Sequence, residues 1–363
     1  MTRAPAAEAG KKRNASFELL RIYAILTIMV LHYQNWSGAL LAPGKDAAAV
    51  NYLCELLESF CIPTLATYVM ISGYFDHSTA LRWKKLVKLW LQVEFYSVGI
   101  HAVLLALGAP VKTDNVWDLA RIVLPVMTSH YWFVTAFVVM EILTPVFNAA
   151  ADHMNRKALK VVILGMLVYF SLLKSVVPIH LAADGEGYDF GFFLLIYLIA
   201  VYLRKYGAPR FAAGHRAIAL YAGSSLVIFL LTVTAYSVNR RTGSFSYLMS
   251  LPLHLNFIVT IAGSVGLFLA FSQLRIPEGK AADFIRGIAP LTFGVYLIHC
   301  HVDVEKVWPS FFAAVIGGYP RNPVLFVLWM LAVIVVMFGF CCAVDALRRK
   351  LFALAARCAG NRS

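Results

Sequence analysis

Apolar residues recur along the whole chain in windows of about 20, separated by shorter polar segments. An α-helix of about that length crosses the hydrocarbon core of a bilayer. The pattern predicts about ten transmembrane helices, at roughly residues 17–36, 52–75, 85–107, 130–148, 158–176, 190–206, 217–237, 250–271, 284–304 and 323–346. The expected fold class is therefore all-α, a polytopic transmembrane helical bundle.

Composition and charge agree with a protein that lies in a lipid bilayer. Hydrophobic residues make up 60% of the 363 residues and charged residues only 14%, which is too apolar for one soluble core. With the N-terminus inside, most of the 32 Lys and Arg residues fall in inside segments. Both termini are therefore expected in the cytoplasm, and the net charge of +13 reflects orientation and contact with anionic lipid. It does not indicate a nucleic-acid partner.

The predicted helices leave no loop long enough to fold as a separate domain. The expected organisation is a basic cytoplasmic N-terminal tail at 1–16, a single transmembrane domain at 17–346 and a basic cytoplasmic C-terminal tail at 347–363.

The first predicted helix carries Arg21 near one end and His32 near the other. Eleven residues bring a helix about 20° past three full turns, so both side chains lie on one stripe, about 16 Å apart along the axis. Arg21 would lie at the cytoplasmic edge and His32 in the outer half. The alternatives are a snorkelling Arg21 paired with Glu18, and a His32 that packs at the interface beside Trp36.

Further polar residues fall within the predicted spans or at their ends. In the outer half these are His101, His130, His254, His299 and His301, and in mid-span they are Glu94 and Glu141. Most are expected to have packing or interface roles. His299 and His301 resemble a metal pair, but no Cys or carboxylate follows at a suitable spacing and none of the cysteines shows a zinc pattern. No metal is expected.

Several motifs together resemble the acyltransferase-3 family of multi-pass bacterial membrane enzymes. They are Arg21 with His32 in the first span, Ser72-Gly-Tyr-Phe75 ending the second, Trp83-Lys-Lys85 entering the third, Tyr131-Trp-Phe133 opening the fourth and Gly294-Val-Tyr-Leu-Ile-His299 in the ninth. Two positions depart from a large branch of the family. Ala66 stands where that branch has Asp. In that branch a Glu follows the Trp of the fourth span closely, whereas here the nearest candidate, Glu141, is nine residues after Trp132. The chain is more similar to the standalone exopolysaccharide-type branch.

The resemblance implies O-acyl transfer, usually of acetyl, from acyl-CoA to a hydroxyl of a cell-surface or lipid-linked glycan, in the bacterial plasma membrane. It implies His32 as general base or acyl relay. Donor binding is expected at Arg21, Arg82, Lys84 and Lys85, and acceptor binding at His130, Tyr131, Trp132, Glu141 and His299. The expected partners are acyl-CoA, the glycan and the bilayer; a homodimer stays open.

Two other functions compete with this interpretation. In a transporter or flippase, Arg21, Glu94, His101 and Glu141 would form a substrate or proton pathway, and inverted repeats would be expected. In a membrane scaffold of a polysaccharide assembly complex, the buried charges would be structural.

Overall fold

The structure is a computed structural model that describes residues 12–111, 113, 115–177, 185–209 and 212–360. All regular secondary structure among these residues is helical. In the described part of the chain, nine helical segments are long and apolar enough to cross a membrane. They are Ala15–Ser37, Ala49–Phe75, Trp83–Ala106, Trp132–His153, Arg156–Val176, His215–Thr242, Tyr247–Gln273, Lys280–His299 and Pro323–Leu354. The prediction of an all-α transmembrane bundle with about ten spans is confirmed.

The remaining predicted span, 190–206, is a shorter helix in the middle of the bundle. Helix Phe190–Tyr206 has 17 residues and is therefore about 26 Å long, slightly less than the hydrocarbon core. Asp189 caps its N-terminus by accepting a hydrogen bond from the backbone N–H of Phe192, at 3.0 Å. Its main packing partners are the helices Ala66–Phe75 and Trp132–His153. Because protein surrounds this helix, its length need not match the bilayer.

Four of the long segments contain 3₁₀ or π-helical turns, and in two of them a neighbouring segment satisfies a free carbonyl group. A 3₁₀ turn at Ile62–Thr64 joins helices Ala49–Cys61 and Ala66–Phe75, and the carbonyl of Pro63 accepts a hydrogen bond from Ser264 Oγ at 2.7 Å. A π-helical turn at Val168–Leu172 leaves the carbonyl of Phe170, which accepts from Asn256 Nδ2 at 3.0 Å. Such partners allow helix breaks at membrane depth.

The structure differs from the sequence prediction at two loops. The predicted span 284–304 ends at His299, and side chains accept from the N–H groups that follow: Val302 N–H donates to His130 Nε2 at 3.0 Å and Asp303 N–H to His301 Nδ1 at 3.2 Å. A short helix, Trp308–Val315, follows. Within the predicted loop 108–129, Val116–Val123 is a helix capped by Asn115. The exposed Trp117 and Leu119 on this helix fit a position at the membrane surface.

Two motif glycines lie where neighbouring helices approach closely. A Cβ at Gly73 would lie 2.5 Å from the carbonyl oxygen of Tyr197, and one at Gly294 would lie 2.5 Å from the carboxylate of Asp345. Small residues at such contacts let transmembrane helices pack closely without a hydrophobic driving force. The glycines of the Ser-Gly and Gly-Val-Tyr motifs are thus packing positions.

Gly73→Ala is expected to lower the free energy of unfolding by about 1–3 kcal/mol, because the added methyl group meets a backbone carbonyl that cannot rotate away. Gly99→Ala is the matched control, since nothing lies within 4 Å of a Cβ there. Thermal unfolding of both variants in detergent, followed by circular dichroism, measures the difference. Equal transition temperatures would contradict the close contact.

Candidate active site

A cavity of about 370 Å³ lies between the first helix and the helices around it. One end of the cavity is cationic, with Arg13, Arg21 and Lys85, and its other end holds His32 and Trp132. The wall between them is mainly apolar and aromatic, formed by residues that include Ile25, Ile28, Leu65, Leu89, Phe133, Phe137 and Phe293. The stripe that carries Arg21 and His32 on the first helix therefore runs along this cavity.

His32 contacts two residues from the end of the Lys280–His299 helix. His32 Nδ1 lies 3.1 Å from His299 Nε2, and Cys300 Sγ lies 3.5 Å and 3.3 Å from these two nitrogens. The His32 ring also packs on Trp36, with a centroid distance of 4.8 Å. His32 lines the cavity, whereas His299 is fully buried behind it.

The hydrogen bonds assign the neutral tautomers of both histidines. His299 Nδ1 lies 2.7 Å from the carbonyl oxygen of Val295, which can only accept, so Nδ1 carries the proton and Nε2 accepts. His32 Nδ1 then donates to His299 Nε2. The lone pair of His32 is left on Nε2, the ring nitrogen that these contacts do not engage, so it can accept a proton from a group in the cavity.

Arg21 and Arg13 share one buried carboxylate at the cationic end of the cavity. Arg21 forms an ion pair with Glu18, whose other carboxylate oxygen lies 3.9 Å from Arg13. The hydroxyl of Tyr68 donates to the backbone carbonyl of Arg21 at 2.8 Å. The Arg21 side chain keeps 29% of its surface exposed, so it remains accessible to a ligand in the cavity.

The expected donor-binding residues at the start of the Trp83–Ala106 helix have different environments. Lys85 lines the cavity and donates to the buried Glu141 at 2.6 Å. Arg82 is ion-paired with Asp76, outside the cavity lining. Lys84 is exposed and is not part of that lining. Glu141, expected at the acceptor site, thus lies with the basic residues.

The three residues of the His130-Tyr-Trp132 segment point to different places. Only Trp132 of the three lines the cavity, where its ring contacts Tyr188 at a centroid distance of 4.5 Å. Tyr131 is fully buried, and its hydroxyl donates to the carbonyl of Leu297 at 2.9 Å. His130 donates from Nδ1 to the carbonyl of Arg121 and accepts at Nε2 from the N–H of Val302. Burial lowers the pKa of His130 to about 4, consistent with a neutral ring.

Comparison with known protein families agrees with these features. A family model described as an acyltransferase domain matches residues 14–346. The chain belongs to the acyltransferase-3 family. No curated protein and no solved structure matches the chain significantly. Every residue that lines the cavity of this membrane acyltransferase, except Arg13, lies inside the matched region.

Several residues of the acyltransferase site were missed by the sequence analysis. Tyr296 lines the cavity and lies three residues before His299, a spacing that indicates a shared helix face. Cys300 follows His299 directly. Arg13 was taken only as part of the basic tail, and Tyr68 carries no sequence signal of its own because aromatic residues are common in every span.

Replacing Lys85 of the acyltransferase by Met is expected to reduce the free energy of unfolding by about 1–2 kcal/mol, because the buried Glu141 carboxylate loses its nearest cation. The expected loss of free energy is small because solvent screens Lys85, which is 41% exposed, and because Arg82 still lies 3.9 Å from the Glu141 carboxylate. Lys84→Met removes the same charge from an exposed position. Thermal unfolding in detergent compares the two, and equal values would show that Glu141 does not depend on Lys85.

Proposed function

We propose that this acyltransferase transfers an acyl group, most simply acetyl, from acyl-CoA to a hydroxyl of a cell-surface or lipid-linked glycan in the bacterial plasma membrane. The observation that carries the proposal is the continuous cavity between a cationic end, which we place at the cytoplasmic face, and His32. A long donor with an anionic head and a reactive thioester tail matches both ends of that cavity.

The cytoplasmic end suits the phosphates of coenzyme A. Arg13 and Arg21 present guanidinium groups, which bind phosphate oxygens through paired hydrogen bonds, and Lys85 adds a compact charge. The apolar wall then suits the pantetheine arm and a short acyl chain. About 16 Å of helix separates Arg21 from His32, a distance that an extended arm can bridge.

His32 is suited to act as general base at the other end. Its Nε2 removes the proton from the acceptor hydroxyl while that oxygen attacks the thioester carbonyl. The tetrahedral intermediate collapses, the C–S bond breaks, and the coenzyme A thiolate takes the proton from the His32 imidazolium. His299 accepts from His32 Nδ1 throughout and so holds the ring in position. His299 is accordingly a positioning residue and not an acceptor-binding one.

Trp132 is the expected acceptor-binding aromatic residue that the cavity geometry favours. Its ring lines the cavity beside His32, and Tyr188, which contacts it, is 51% exposed. Aromatic faces next to a polar rim commonly bind amphipathic surfaces such as those of sugars. The buried Tyr131 is better explained as a helix-packing residue.

Replacing His32 by Ala is expected to abolish O-acylation, because His32 is the histidine that lines the cavity among the residues the structure describes. Mass spectrometry of surface glycans compares the host with the intact gene, the deletion strain and the deletion strain carrying His32→Ala. Loss of a base-labile acyl mass in both altered strains identifies the acyl group and assigns its transfer to His32.

The matched control is His153→Ala, which removes an exposed histidine at the end of the Trp132–His153 helix. It should retain the acyl mass, and both variants should reach the membrane in equal amounts. Retained acylation with His32→Ala would refute the general base. Loss of the entire glycan, with no difference in acylation, would support transport or assembly instead.

Arg21→Gln is expected to raise the Kd for coenzyme A by roughly tenfold, since a hydrogen bond to a charged group contributes about 1.5 kcal/mol or more. Lys160→Gln removes one charge from an exposed position on the Arg156–Leu167 helix and should leave the Kd nearly unchanged. Isothermal titration of the purified proteins with coenzyme A measures both. An equal loss in the two variants would indicate general charge attraction and contradict a phosphate contact at Arg21.

A further inference from the structure

Three potential metal-ligand atoms converge at the His32 end of the cavity. His32 Nδ1, His299 Nε2 and Cys300 Sγ all lie within 4.8 Å of one another. The sequence analysis considered His299 with His301, which follows two residues later. The fold instead brings His299 and its neighbour Cys300 into contact with His32, which lies 267 residues before His299 in the sequence.

The spacing of these atoms matches a tetrahedral ion. With Zn–N bonds of about 2.1 Å and a Zn–S bond of about 2.3 Å, two nitrogens lie about 3.4 Å apart, and a nitrogen lies about 3.6 Å from the sulfur. The observed distances are 3.1 Å for the nitrogen pair and 3.3 and 3.5 Å to sulfur. An ion therefore fits after donor shifts of a few tenths of an ångström.

The surroundings of the three donors also suit zinc. Imidazole and thiolate are its usual ligands. The bond from His299 Nδ1 to the carbonyl of Val295 fixes the tautomer whose Nε2 is free to coordinate, as second-shell partners do in metal sites. Cys300 is 7% exposed and His299 is fully buried, whereas His32 faces the cavity. The cavity thus offers an ion an access route to the three donors.

A second cluster among the described residues contains His101 and His301, and the ring nitrogens of His301 are not available to bind a metal ion. His301 Nε2 donates to the carbonyl of Ser97 at 2.9 Å, and its Nδ1 accepts from the N–H of Asp303. His101 Nδ1 is bound to the Asp303 carboxylate at 2.7 Å. Because backbone groups occupy both ring nitrogens of His301, that cluster is a structural connection between helices.

We propose that Zn²⁺ binds to His32 Nδ1, His299 Nε2 and Cys300 Sγ, with a fourth ligand from the cavity, and that this binding inhibits the acyltransferase. Cys300 releases its thiol proton on binding, and the proton of His32 moves from Nδ1 to Nε2. Nε2 then has no lone pair for the acceptor hydroxyl. The inhibition rests on the proposed function of His32 as base, whereas the metal binding does not.

Cobalt titration of the purified full-length protein tests the binding. Cys358, the exposed thiol, is replaced by Ser in every sample so that it cannot bind the probe. We expect one Co²⁺ per chain with a thiolate-to-cobalt charge-transfer band that Zn²⁺ abolishes. Cys300→Ser should remove the band and weaken Co²⁺ binding by at least about tenfold, since loss of an outer-shell partner alone costs that much.

Cys61→Ser is the matched control, because Cys61 is also a buried thiol and lies in a different helix. It should keep the band at full intensity. His299→Gln is a second test that leaves the thiol in place, and it should also weaken Co²⁺ binding. Absence of the band from the parent protein, or an unchanged band in Cys300→Ser, would overturn the metal site.

Transfer of acyl groups by membrane vesicles, with and without Zn²⁺, tests the inhibition. Loss of transfer that a chelator reverses, at Zn²⁺ concentrations that also displace cobalt, is the expected result. Full transfer with the metal bound would overturn the inhibition and would contradict His32 as base. Because the cobalt spectrum needs no substrate, it decides the metal site even if the proposed reaction proves wrong.

Discussion

Hydrocarbon offers no hydrogen-bond partner, so polar side chains inside this bundle depend on partners within the protein. Asp345 illustrates the consequence: it is fully buried and accepts hydrogen bonds from the Tyr96 hydroxyl at 2.7 Å and from Arg348 Nε at 2.9 Å. Lys85 and Glu141 form a similar contact between the Trp83–Ala106 helix, which also carries Tyr96, and the Trp132–His153 helix. These pairs connect helices that are distant in sequence, and the walls of the cavity depend on the positions that they fix.

The same constraint shapes the cationic end of the cavity. Arg21 is already paired with Glu18 and Lys85 with Glu141, so an anionic ligand must compete with carboxylates of the protein itself. The affinity for an anionic ligand is therefore lower than the number of cations suggests, because each contact with the ligand replaces an ion pair that the protein already had. For a donor whose product must leave after each cycle, moderate affinity permits release. The carboxylates also keep the cations in place when no ligand is bound.

The periodicity of apolar residues predicts the helices of this chain but not how they are rotated against one another. Lipid-facing and core-facing surfaces are both apolar, so hydropathy alone does not distinguish them. Arg21 and His32 could be placed on one stripe because both belong to a single helix. The contact of His32 with His299 and the burial of Tyr131 depend on packing between helices, and neither has a local signal. Helix 190–206 likewise resembles any other span in sequence, although protein surrounds it.

The position of His32 depends on packing well away from the cavity. Gly294 allows its helix to approach Asp345, where any Cβ would collide with the carboxylate. In the turn that begins there, His299 Nδ1 donates a hydrogen bond to the carbonyl of Val295. His299 is thereby left with an accepting Nε2 toward His32, and this directs the His32 lone pair to its other nitrogen. The glycine and the histidine five residues later therefore act together: Gly294 lets the helix approach its neighbour, and His299 sets the tautomer of His32.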